Sequence, residues 1–236
     1  ATDSLLQNFG AESYIKAGIF PVSQFLIPLF EEFKLETLII LERSFWWLHI
    51  IGIFAFLNYL YYSKHLHILL AFPNTYFANL EIKGKFKVNP HIKSEVQLML
   101  NPQASTPESS LTIPDKFGAT DIFDLSWVQL MNSYSCTECG RCSSECPANI
   151  TGKKLSPRAI MMKTRDRLEE VGENINKNGG KFISDGKQLL NDYIKPEELW
   201  ACTSCNACVE ACPIEIDPLS IIMEMRQYLT LEKSAA

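Results

Sequence analysis

No cysteine stands in the first 135 residues of this chain and none after Cys212; all eight lie in two short runs. The sequence has neither a G-x-G-x-x-G turn nor a P-loop, so it carries no signal for a dinucleotide, flavin or nucleoside triphosphate. A basic stretch interleaved with aromatic residues is also missing, which leaves nucleic acid out as a partner. No nucleophile is set beside a base and no acid pair is poised, so nothing in the sequence marks a substrate pocket. The alternation of apolar and polar residues that marks strands is almost wanting, and the fold class this implies is all-α. Lysine, arginine, aspartate and glutamate are absent from Ser44 to Tyr62, and no histidine precedes His49. No basic segment with a small-residue cleavage site comes before the first apolar stretch, and the chain opens on Ala1, so the expectation is a segment that begins within a longer protein.

What is present is a repeated cysteine motif. Cys136, Cys139, Cys142 and Cys146, then Cys202, Cys205, Cys208 and Cys212, are spaced C-x2-C-x2-C-x3-C, and each run is followed by proline, Pro147 or Pro213. That is the spacing by which bacterial-type proteins hold [4Fe-4S] clusters. Three thiolates two residues apart can wrap three corners of a cubane on one tight loop. The fourth cysteine leaves the loop ahead of a proline and ligates the other cluster. The expected ligand sets are therefore Cys136, Cys139, Cys142 and Cys212 for cluster 1, and Cys202, Cys205, Cys208 and Cys146 for cluster 2. Gly140 and Asn206 occupy matching places in the two loops, and these residue types accept a left-handed backbone at small cost. The loops should share a conformation.

A disulfide framework and a zinc site are the competing readings. Crowding four thiols into eleven residues of a long chain without a secretory look argues against disulfides. Zinc would take C-x2-C pairs across a long spacer and leave the third and fourth cysteines of each run idle.

The uncharged stretch reads as a membrane span. Ser44 to Tyr62 is long enough, at 1.5 Å per residue, to cross a hydrocarbon core of ~30 Å. Trp46 and Trp47 near one end, and Tyr59, Tyr61 and Tyr62 near the other, fit aromatic belts. We expect one transmembrane helix over about 37–70 within a membrane segment of residues 1–80; a buried core helix is the alternative. Ile19 to Phe30 is also apolar, but it is broken by Pro21 and Pro28 and too short to span. Residues 63 to 100 carry Lys64, Lys83, Lys85, Lys87 and Lys93 against Glu81 and Glu95, while residues 1 to 44 carry six acids and three bases. The positive-inside rule then puts the C-terminal part in the cytoplasm, with the span in the inner membrane. This suits cysteines that must stay reduced to bind iron. Lys83, Lys85 and Lys87 form a basic strip suited to anionic lipid headgroups, or a solvated loop.

His49 and His67 lie eighteen residues apart, five whole helical turns, so on one continuous helix they share a face ~27 Å apart. One reading makes them ligands of two different haems, since no single haem reaches both. The other leaves His49 hydrogen-bonded in a helix bundle and His65 and His67 hydrated at the headgroups.

Residues 81–118 form the basic strip and a linker, with Pro102, Pro107 and Pro114 among serines and threonines, and residues 119–236 form the cluster domain. Asp121 to Met131 reads as a short helix with Phe123, Trp127, Leu130 and Met131 as core. Ser156-Pro157 and Asp217-Pro218 each open a helix with a cap and a proline, and the two helices match in register at Pro157 and Pro218, Ile160 and Ile221, Met162 and Met223, Arg165 and Arg226, and Leu168 and Leu229. This is an internal repeat of motif plus helix, with Ile160, Leu168, Ile221 and Leu229 as core. A further helix is expected around Gly186 to Tyr193.

The two cysteine runs with their following helices resemble the alpha-helical ferredoxin domain of the heterodisulfide reductase C-type chain. Trp47-Leu48-His49 through His65-Leu66-His67 resembles a late transmembrane helix of the nitrate reductase gamma-subunit family of b-type cytochromes. Together they are similar to membrane-anchored iron-sulfur oxidoreductases that fuse the two. The resemblance implies two [4Fe-4S] clusters, and haem b at His49 and at His67 with second ligands from other helices. It also implies an electron-transfer subunit working between the quinone pool and a soluble catalytic partner with cysteine-rich CCG domains, like the B-type chain of heterodisulfide reductase. The alternative class is a redox sensor or a structural use of the clusters within a membrane complex.

Overall fold

The structure is a computed structural model and describes residues 6, 21, 23–30, 32–63, 65–81, 84–85, 90–101 and 116–234. The chain divides into two compact units, residues 1–63 and 64–236.

In the first unit a 3-10 helix, Ser23–Leu29, precedes α1, Leu35–Leu60. The α1 sequence holds no proline and one glycine among long apolar residues, so nothing interrupts its backbone ladder. Its 26 residues reach about 39 Å. It is apolar all round: Trp47, Ile51, Phe54 and Leu57 are each more than half exposed. Only 6% of its most apolar window is buried, so it is long and apolar enough to cross a membrane by length and composition. Its few polar side chains bond inward, Ser44 Oγ donating to Ile40 O at 2.7 Å and Asn58 Nδ2 to Phe54 O at 2.8 Å. That is how a helix in lipid satisfies such groups. Leu38, fully buried, meets Leu6, Ile27 and Phe30.

The single helix expected over about 37–70 is two. α1 stops where the amides of Tyr62 and Ser63 turn back three residues, to Tyr59 O at 3.0 Å and Leu60 O at 3.2 Å. Ser63 Oγ also donates to Leu60 O, giving that carbonyl of the last turn a second donor. α2, Leu66–Tyr76, then belongs to the second unit, so His49 and His67 do not share a face of one helix.

The second unit continues with α3 (Pro90–Leu100), α4 (Trp127–Ser135), α5 (Arg141–Ser144), α6 (Pro147–Ile150), α7 (Pro157–Lys177), α8 (Pro196–Trp200), α9 (Ala207–Glu210) and α10 (Pro218–Leu231). No strand occurs among the described residues; Leu190 and Ile194 make an isolated bridge. α7 packs on α4 and α10, and the short helices that carry the cysteines are wedged between these longer ones. The expected caps form: Ser156 Oγ accepts from the Ala159 amide at 3.4 Å and Asp217 Oδ1 from the Ser220 amide at 3.0 Å, with proline at the first helical position of both α7 and α10. Ile160 and Ile221 are fully buried, Leu229 is buried and Leu168 packs on the core. Gly118, at φ +77, is required by close packing, because a Cβ there would sit 2.3 Å from Glu224 O.

Three expectations change. Asp121 to Met131 is not one helix but a 3-10 turn, Ile122–Asp124, followed by α4, because Ser126 forms a capping box with Gln129 and starts a new helix. Phe123 and Trp127 are surface residues, more than half exposed, that stack on Phe182 and Phe77. Around Gly186 to Tyr193 there is a π-type turn over Leu189–Tyr193 with non-helical backbone at Leu190 and Asn191. Burial of Leu189 and Leu190 together pulls this segment out of a helix. Lys85 of the basic strip pairs with Glu81 at 2.7 Å, while Lys83, Lys87 and the linker prolines Pro102, Pro107 and Pro114 lie outside the described residues.

Candidate metal centre

The two cysteine loops fold alike, residue by residue. Gly140 (φ +84) and Asn206 (φ +61) are left-handed, as their types suggested, and each caps the short helix that follows. The Gly140 carbonyl accepts from the amides of Ser143 and Ser144 at 3.0 Å, and the Asn206 carbonyl from those of Val209 and Glu210 at 3.0 and 3.1 Å. Glu138 (φ +60) and Ser204 (φ +55), each two residues after the first cysteine of its run, are left-handed too. Neither residue type announces that conformation, and the sequence reading missed it. The fourth cysteine closes each loop in the same way, Cys146 N donating to Ser143 O at 3.3 Å and Cys212 N to Val209 O at 3.1 Å.

After that point the chain leaves each loop, as the following proline requires. Pro147 opens α6, whereas Pro213 is followed by a turn in which Glu215 N donates to Cys212 O at 3.2 Å. Burial pushes the Cys136 thiol up, and the charge on Cys212 adds to this against the opposing Glu138 amide. Burial likewise raises Cys142, with Cys136, Cys139 and Cys212 adding to it. In the other set, burial raises Cys202 despite the Ser204 amide and Arg226, with Cys146 and Cys205 adding, and it pushes Cys208 up to about 12, with Cys202, Asp217, Cys142 and Cys146 contributing. The exposed Cys205 is instead held below its ordinary value by the Ala207 amide. Cys212 thus sits in the field of the first run and Cys146 in that of the second.

None of the eight cysteines forms a disulfide. Among the described residues no three His, Cys, Asp or Glu side chains gather tightly enough to hold one metal ion, as a tetrahedral zinc with ~2.3 Å bonds to sulfur demands. In a cubane each thiolate takes its own iron, and the donor chemistry of eight cysteines in two like-folded runs fits [4Fe-4S] clusters. Ligation requires thiolates, so loading the raised thiols must release protons.

A cavity of about 250 Å³ is lined by Cys136, Cys139, Cys142 and Cys212 together with Cys208 of the second run, and α2 contributes His67 and Ala71 to its wall. α2 is fixed there by Asn74, 2% exposed, whose Nδ2 donates to Ile214 O at 2.7 Å, and by an edge-to-face contact of Phe77 with Trp127 at 4.7 Å. His67 is therefore beside the first cysteine set rather than inside an apolar span. His49 stands in the first unit, in a shallow groove with Phe45, Leu48, Gly52 and Phe56.

The repeat arginines are the other residues whose role the sequence did not disclose, although the matched helices put them in register. Arg165 of α7 bonds the Glu138 carboxylate of the first loop. Arg226 of α10 bonds the Ser204 hydroxyl of the second loop at 3.2 Å and the carbonyls of Leu199 and Cys202.

Residues 135–216 match the family model of the 4Fe-4S dicluster domain. A probable iron-sulfur-binding oxidoreductase FadF of Bacillus subtilis is 31% identical over 214 residues, 79% of this chain and 28% of its own length. An EtfAB:quinone oxidoreductase of Syntrophomonas wolfei is 25% identical over 229 residues, 89% of this chain and 29% of its own. A protein of Archaeoglobus profundus that is like the C-type chain of heterodisulfide reductase is 29% identical over 102 residues, 41% of this chain and 40% of its own. The chain thus spans under a third of the first two relatives. No solved structure matches it. The chain is thus similar to iron-sulfur oxidoreductases over part of their length and carries a match to the 4Fe-4S dicluster domain.

Proposed function

We propose that this chain is the membrane-anchored electron-transfer part of an oxidoreductase, passing single electrons between a quinone at the membrane and a soluble catalytic partner. The observation that supports it is the pair of like-folded cysteine loops, each with left-handed backbone at the same two positions and each closed by its fourth cysteine. On this reading Cys136, Cys139, Cys142 and Cys212 hold cluster 1, and Cys202, Cys205, Cys208 and Cys146 hold cluster 2. When bound, the two [4Fe-4S] clusters supply one-electron redox centres.

The chain's own residues do the rest. Buried Cys146 and Cys208, with Ile160, Ile221 and Met225 behind them, keep water from the inner sides of both sites. Exposed Cys139 and Cys205 leave one corner of each site open to a partner. α1 anchors the chain in the inner membrane, because its exposed apolar side chains gain roughly 25 cal/mol per Å² on leaving water. Lysines that follow it place the cluster domain in the cytoplasm.

The quinone comes from the resemblance and is supported by the quinone oxidoreductase relative. A soluble catalytic partner like the heterodisulfide reductase B-type chain comes from the resemblance and is supported by the relative that is like the C-type chain. The finer reading, in which His49 and His67 each ligate a different b-type haem as in the nitrate reductase gamma family, comes from the resemblance alone, since the two histidines stand on separate helices. His49 beside the open Gly52 groove and His67 at the cluster 1 wall would be the ligands, each with a second ligand from another helix. The test is an anaerobic EPR titration of the full-length protein in its membrane. The reading predicts two interacting [4Fe-4S] signals reduced reversibly by a quinol or a soluble donor; clusters that no donor reduces would overturn it.

A further inference from the structure

Two arginines at the same place in the two repeats hold the two cysteine loops, but through different partners. Glu138 and Ser204 stand at matched positions with matched left-handed backbone, φ +60 and +55. Arg165 grips the first through a carboxylate, in an ion pair whose side chains are 21% and 28% exposed. Arg226 grips the second through a neutral hydroxyl, and its remaining hydrogen bonds go to the neutral carbonyls of Leu199 and Cys202. Its far face rests on Trp200, 5.1 Å from the ring centre, which fixes the guanidinium in place.

We propose that Arg165 and Arg226 are equivalent positioning residues for the two cysteine loops, and that their partners set the charge each loop shows its cluster: compensated at the first, cationic at the second. This rests on the reading that the loops hold cubane clusters. Reduction adds an electron to a cluster, so an uncompensated positive charge a few ångströms away favours the reduced form and raises its midpoint potential. Asp217 at the N-cap of α10 brings a negative charge to the second site, and Arg141 and Arg158 line the cavity of the first, so the partners decide how each potential responds and not which of the two is higher.

An exchange of the two loop residues tests this, since each variant installs what the twin loop carries at the same backbone angle. In the full chain, Glu138→Ser removes the offset from Arg165, and Ser204→Glu supplies one to Arg226. Each protein is assayed for iron and sulfide and then titrated by EPR with a chemical reductant. The expected result is full iron and sulfide, an upward midpoint shift of one cluster signal in Glu138→Ser, and a downward shift of the other in Ser204→Glu. Arg226→Gln should move the same signal down as Ser204→Glu. Unchanged midpoints at full occupancy, or both exchanges moving the same signal, would overturn the proposal. So would loss of a cluster in either exchange, because the loops would then not be equivalent. A wild-type protein without iron and sulfide would overturn the electron-transfer reading itself and is seen before any variant is made.

Discussion

Arg167 is the most completely buried charge in the described structure, with no exposed surface, and its guanidinium is shared by Asp121, Asp185 and the Lys187 carbonyl. It ties α7 to the turn before α4 and to the segment before Leu189. This arrangement was not legible in the sequence, where Arg167 was one more polar residue of an amphipathic helix. Removing it strands two carboxylates, so Arg167→Met should lower unfolding stability by about 3 kcal/mol, read by chemical denaturation. The same contact gives a pH dependence. The Arg167 guanidinium holds the Asp185 carboxyl down to about 2 from its ordinary 3.8, so its stabilisation is complete above pH ~4 and is lost as pH falls through about 2. Thermal unfolding of the wild type and of Asp185→Asn should therefore differ by the same amount at pH 7 and pH 5, and the difference should shrink only below pH ~4. A gap that closes already between pH 7 and pH 5 would contradict this assignment.

Elements whose ends are written in residue chemistry were legible. The caps at Ser156 and Asp217, the prolines behind them and the left-handed Gly140 and Asn206 all appear where local rules put them, because a cap or a turn is decided by neighbours in sequence. Elements decided by tertiary contact were not. Nothing local told that the apolar run ends at Leu60, since Leu66–Tyr76 is nearly as apolar, and its docking depends on Asn74 meeting Ile214, 140 residues away. The Leu189–Tyr193 turn failed as a helix for the same reason. The division of the chain makes a prediction at this scale. A protein lacking residues 1–63 should leave the membrane fraction and still load iron and sulfide, with α2 retained on the cluster domain. Recovery of that fragment in washed membranes would show that α1 is not what anchors the chain.

For the whole molecule, the cysteine pattern conveyed the cofactor class, and the repeat that follows each run conveyed the all-α architecture. The match over residues 135–216 and the relatives agree with the cofactor class, and the described residues hold helices and no strand. The sequence could not convey how two copies of one loop come to differ in charge, because that depends on which side chain of the loop meets the repeat arginine. The account stands or falls on the crosswise assignment of sulfurs, and iron counting in paired variants reads it directly. With two [4Fe-4S] clusters the wild type should hold about eight irons per chain. If Cys146 belongs with the second run, Cys146→Ser combined with Cys202→Ser damages one cluster and keeps about four irons, while Cys146→Ser combined with Cys136→Ser damages both and keeps almost none. The reverse pattern, with irons surviving the second pair and not the first, would mean that each run closes on its own cluster and would contradict the account.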